Sequence, residues 1–109
     1  MATYVQKGEN INYKNDGSEK IAYGDVVVIS ERIGVASVDI PAGGAGVISI
    51  EGVYEMPAET SAAFAVGQTL YWDETNKRLT ATKASSGAVT AGIATEPKET
   101  SAAFALVKL

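Results

Sequence analysis

The chain of 109 residues contains no cysteine and no histidine. Without cysteine there is no disulfide, no thiol nucleophile and no thiolate metal ligand. Without histidine there is no Ser-His-Asp or Cys-His catalysis, no imidazole ligand and no side chain that ordinarily titrates near neutrality. Basic residues are also scarce. Lysine and arginine total 9 against 13 acids, and the net charge is −4. Only Arg32 and Arg78 are arginines. Phosphate backbones are gripped by clustered Lys and Arg, so no nucleic-acid partner is expected. No apolar run approaches the roughly 20 residues of a spanning helix, so no membrane partner is expected either. The opening Met1-Ala2-Thr3-Tyr4-Val5 lacks a basic start and an apolar h-region. A soluble protein made in the cytoplasm is the expectation.

What the chain does contain is ordinary globular material, 46% hydrophobic and 20% charged. Its length suits one domain spanning residues 1–109. Alanine and valine dominate the apolar set, so the core is thin and gains from a partner subunit.

Residues 34–57 organise the rest. Val35, Ser37 and Asp39 alternate with Ala36, Val38 and Ile40, which is strand periodicity. Pro41 and Gly43, Gly44 and Gly46 then reverse the chain. A second strand follows, with Ile48, Ile50, Tyr54 and Met56 on one face and Ser49, Glu51 and Glu55 on the other. Pro57, which has no N–H, ends it. Upstream, residues 1–8 read as an extended N-terminal arm. Asn10 to Lys14 reads as an edge strand with Ile11 and Tyr13 inward. A turn at residues 15–18 places Gly17 in the left-handed position. The run Val26 to Ile29 predicts a strand covered on both faces.

Downstream, residues 58–65 allow one helical turn capped by Thr60 or Ser61. Residues 68–73 predict a strand with Leu70 and Trp72 inward, then a hairpin loop with Asn76 left-handed. Residues 79–83, 89–95 and 102–109 complete the set. The spacing predicts an all-β fold, a small β-sandwich or barrel-like domain of about eight short strands. The expected core is Val26, Val28, Ile48, Ile50, Trp72, Ile93, Phe104 and Leu106. The heptapeptide Glu-Thr-Ser-Ala-Ala-Phe-Ala occurs twice, at 59–65 and 99–105. Each copy reads as a polar loop entering a strand, with Phe64 and Phe104 as core anchors.

Chemistry is sparse. The 43–46 glycines lack the lysine and helix of a phosphate loop. The Asp73-Glu74-Thr75-Asn76 stretch lacks the ligand spacing of a calcium loop. Glu51 and Glu55 lie about 13 Å apart on one strand, too far for an acid–base pair. Trp72 beside Tyr71 suggests a sugar platform, but its parity with Leu70 argues for core. No catalytic residue, metal site or cofactor is expected. A binding or assembly protein remains.

Several stretches in order resemble the small phage capsid cement, or decoration, proteins of the DUF2190 type. They are Ala2-Thr3-Tyr4-Val5 with Gly8; Ile21-Ala22-Tyr23-Gly24-Asp25-Val26-Val27-Val28; Gly34-Val35-Ala36 with Asp39-Ile40 and the 43–46 turn; Gly52-Val53-Tyr54 with Met56-Pro57; Gly67 with Leu70-Tyr71-Trp72-Asp73; and Val107-Lys108-Leu109. Where the family pattern often has lysine after the proline, this chain has Ala58. The resemblance implies a non-enzymatic phage or prophage virion protein on the outer capsid surface, made in the bacterial host cytoplasm. Its implied partners are the major capsid protein and further copies of itself, a trimer before a dimer. Relatives have also been labelled as RecA-type recombinases, which the missing P-loop and basic channel oppose. The rival reading is a carbohydrate-binding or host-attachment β-module, with Tyr4, Tyr13 and Tyr71 as an exposed cluster. Ala2, Thr3, Tyr4, Val5, Gln6 and Lys7 are the candidate contact residues. A free tail gains nothing by exposing Tyr4 and Val5, whereas an arm pairing with a partner strand does. Alternatively the arm adds an edge strand to its own sheet.

Overall fold

Short runs of β-branched and aromatic residues, punctuated by glycine, proline and Asx turns, form strands and nothing else. The structure is a computed structural model that describes residues 1–6 and 8–109. Among the described residues there are nine strands and no helix. They are β1 (Asn10–Lys14), β2 (Val26–Ile29), β3 (Arg32–Ala36), β4 (Ala45–Ser49), β5 (Val53–Pro57), β6 (Thr69–Asp73), β7 (Arg78–Thr80), β8 (Thr90–Ala94) and β9 (Phe104–Lys108). The single helical turn that the stretch after Pro57 allows does not form.

All nine strands belong to one curled, branched sheet. Five of them make a ring. β8 pairs with β6, β6 with β7, β5 with β9 and β9 with β8, all antiparallel. A parallel bridge from Ala58 to Leu79 brings the end of β5 against β7. The ring supplies most of the larger core, with Met56, Phe64, Leu70, Trp72, Leu79, Ala91, Ala94, Ala105 and Val107 all buried, and Ile33 and Val35 of β3 complete it. The other four strands extend from it. β3 touches β8 through Arg32 and Thr90, pairs with β4 on the same side, and carries β2 on the other. β1 pairs with β4. This extension has its own smaller cluster of Val27, Ile40 and Ile48. β2 serves both, with Val26 and Val28 against the larger cluster and Val27 in the smaller, so it is covered on both faces.

The long second strand expected across residues 47–57 is two strands. Gly52 takes φ 114°, a value that side chains avoid, and turns the chain out of register with β3. β4 stays with β1 and β3, while β5 leaves to pair with β9. The inward parity survives the bend: Ile48 and Met56 are buried, Ile50 and Tyr54 half-buried.

Two expected core residues are on the surface. Ile93 is 42% exposed and Phe104 57%. At β8 the register with β6 shifts, pairing Leu70 with Gly92 but Tyr71 with Thr90. The bulge inserts one residue and reverses parity, so Ala91 and Ala94 both face inward and Ile93 faces out. A Cβ on Gly92 would lie 1.9 Å from the Lys108 carbonyl oxygen, so only glycine lets β9 approach. In β9, Ala105 faces Met56 across the ladder and both are buried. Phe104 therefore points outward. Val26, Val28, Ile50 and Leu106 are half-buried rather than buried; Ile48 and Trp72 are buried as expected.

Two turns use other residues than expected. Gly17 does not adopt a positive φ. Buried Asn15 shapes that turn instead. Its Oδ1 accepts from Gly17 N at 3.0 Å, and its Nδ2 donates to the carbonyls of Glu19 and Ile40. In the β6–β7 loop, Lys77 takes the left-handed position at φ 54°. Asn76 instead donates to Asp73 from both its backbone and side chain.

Candidate interaction surfaces

Trp72, Asp73 and Glu74 are engaged by the fold itself. Trp72 is 7% exposed and its indole N–H donates to Glu74 at 3.3 Å. Donors on Asn76 hold the Asp73 carboxyl below its ordinary pKa, and the hairpin tip satisfies its own acids. Glu74 pairs with Lys77 in the same loop. Glu51 and Glu55 are both exposed, Glu51 before the Gly52 bend and Glu55 within β5. Among the described residues, no cluster of acids has the makings of a metal site. No helix there is long and apolar enough to cross a membrane.

The most engaged carboxylate is structural. Glu59 follows the Ala58–Leu79 bridge, and its backbone N–H donates to the Leu79 carbonyl at 2.9 Å. Its carboxylate accepts from the Thr80 hydroxyl, the Ala81 N–H and the Ser61 hydroxyl. Burial pushes this carboxyl upward. The donors from Thr80, Ala81 and Ser61, with the Arg78 charge, outweigh it and leave the pKa below the usual value. Glu59 thus buckles β5 to β7 and closes the ring. No sequence motif announced this, because Thr80 and Ala81 lie 21 and 22 residues away.

Three surfaces remain for partners. The first is the arm. Ala2, Thr3, Tyr4, Val5 and Gln6 are exposed, with Tyr4 at 80% and Val5 at 86%. Among the described residues no strand pairs with them; the Gln6 side chain alone reaches back, to the Asn10 carbonyl. Lys7, the last residue of the candidate set, lies outside the described residues. The second is the outer face of β5, β9 and β8. Val53 and Ile93 both oppose Lys108, Leu106 opposes Glu55, and Phe104 opposes Pro57. Val53, Ile93 and Phe104 stand exposed there. The third is a cleft of about 570 Å³ along β2, lined also by Glu19, Lys20, Ile21, Pro57, Trp72 and Lys77. The aromatic cluster of the sugar-binding reading is not assembled as an exposed set: Tyr4 is exposed, but Tyr13 and Tyr71 are half-buried.

No curated protein and no solved structure matches the chain. One family model does, described as phage cement protein, and it matches residues 5–109. That span takes in all nine strands. The chain therefore belongs to the phage cement protein family.

Proposed function

We propose that this cement protein acts without catalysis, binding the outer surface of an expanded phage capsid and bracing neighbouring major-capsid subunits. It works as a homo-oligomer, a trimer before a dimer, with residues 2–7 as its docking arm. The observation that carries the docking role is the arm itself, which exposes Tyr4 and Val5 with no strand beside them. An extended segment of this kind gains backbone hydrogen bonds from a sheet edge and specificity from alternate side chains. Many copies on one lattice make weak single contacts sufficient, because the effective concentration is high. Made in the host cytoplasm, the protein reaches its place on the virion surface during assembly.

The test mixes the purified chain with expanded shells that lack it. Co-sedimentation and electron microscopy are expected to show density on the outer surface and a particle that withstands more heat. Shells that neither bind nor gain heat resistance refute the cement role. Deleting residues 2–7 is expected to abolish particle binding.

A further inference from the structure

We infer that the cleft along β2 receives the extended arm of a neighbouring copy, so that copies are joined by exchanged arms. The pairing rests on the reading of residues 2–7 as a docking arm and names what the arm docks into.

Among the described residues, β2 pairs only with β3, so its other edge is open. The hairpin closes on Ile29 and Arg32 across a two-residue turn. Alternation from that closing pair directs the N–H and C=O groups of Val27 and Ile29 toward β3, and those of Val26 and Val28 toward the open edge. The cleft runs along this edge and is lined by Val26, Val27 and Val28. An unpaired edge inside an apolar-floored cleft is a template for one more strand.

The arm matches it in length and charge. Four strand residues span about 13 Å, and five arm residues, Ala2 to Gln6, reach about 16 Å when extended. Residues 1–7 contain Lys7 and no acid. In the cleft both lysines are already engaged, Lys20 with Asp39 at 3.4 Å and Lys77 with Glu74. Glu19 and Asp25 form no ion pair among the described residues, which leaves the cleft acidic toward an incoming segment. Each chain thus presents one unpaired apolar arm and one unpaired edge. Passing an arm from copy to copy is a head-to-tail contact, which closes into a ring when the rotation permits. That is a route to a trimer.

A synthetic peptide of residues 1–7 is titrated into the chain lacking residues 2–7, with backbone amides followed by NMR. The expected result is saturable shifts at Val26 and Val28, and slowed exchange of their N–H groups. Val28→Pro removes an edge N–H without removing a bond to β3, and is expected to weaken the peptide about tenfold or more. Glu19→Lys, on the exposed rim, gives the same direction of change should the proline variant fail to fold. Mixing the arm-deleted chain with Val28→Pro is expected to give a one-to-one dimer by light scattering, since one supplies the edge and the other the arm. Peptide shifts elsewhere, or none, overturn the proposal. So does a full-length chain that stays monomeric with Val28 protected at every concentration, because its arm is then folded into its own cleft. Particle binding separates the two readings. A Val28→Pro chain that binds shells as the wild type does, while arm deletion abolishes binding, gives the arm to the capsid and removes it from the cleft. Arm exchange without any shell binding leaves the exchange standing and refutes the cement role.

Discussion

Residues 59–65 and 99–105 have the same seven side chains in the same order, yet their burial is opposite at three positions. In the first copy Glu59 is 8% exposed and Phe64 3%, while Ala65 faces water. In the second Glu99 and Phe104 face water and Ala105 is 7% exposed. Context separates them. The first copy lies at the seam between β5 and β7, where Thr80 and Ala81 offer donors to a carboxylate. Its phenylalanine makes only an isolated bridge, with Lys98, and is free to turn into the core. The second copy runs into β9, where the ladder with β5 fixes which residues face in. The ring already holds Met56, Leu70, Trp72 and Leu79, so its remaining wall takes alanines. The copies also meet. Lys98 passes its ammonium to the carbonyls of Glu99, Thr100 and Ala102, and lies 5.0 Å from the Phe64 ring centroid. One lysine shapes the second copy and covers the first.

The largest contrast is expected between the phenylalanines. Phe64→Ala should cost about 3–5 kcal/mol in urea unfolding, the range for emptying a packed aromatic site. Phe104→Ala should stay below about 1 kcal/mol. Equal losses would show that the copies share one environment after all.

The glutamates come next. Glu59→Ala should cost about 2–3 kcal/mol, because it removes a carboxylate holding three donors. Glu99→Ala should change stability by about 0.5 kcal/mol or less. The contrast also has a pH signature. The Glu59 carboxyl is held below its unfolded value near 4.5, so its contribution is complete above about that pH and is lost as pH falls through the folded value. Thermal melts from pH 7 to pH 3 should therefore converge for wild type and Glu59→Gln, and run parallel for wild type and Glu99→Gln.

Lys98→Met should have a smaller effect, about 1–2 kcal/mol, with faster amide exchange in residues 99–103. Ala58, at the equivalent place before the first copy, should accept no such role. The smallest effect is expected from deleting residues 2–7. At concentrations too low for copies to associate, the melting temperature should stay within about 1 °C, because the arm is exposed in its own chain.

Much of this architecture was legible. Alternation gave β1 and β6 with their inward residues, a β-branched run gave β2, and the absence of a 3.6-residue apolar period excluded long helices. The order of short motifs led to the family that the match over residues 5–109 bears out. The interaction surfaces were legible only in part. Tyr4 and Val5 could be singled out from sequence, but the open edge of β2 could not, since an unpaired edge is a property of the whole sheet.

The chain by itself determined most of its strands and its lack of cysteine and histidine, because these follow from local residue preferences and from composition. Tertiary structure alone decided which face of β8 and β9 is inward. A one-residue bulge at Ala91, beside Gly92, and the pairing of Ala105 with Met56 set parity over distances that local alternation does not reach. It also decided that one glutamate of an identical pair closes the ring, since only there does the fold bring Thr80 and Ala81 within hydrogen-bonding distance.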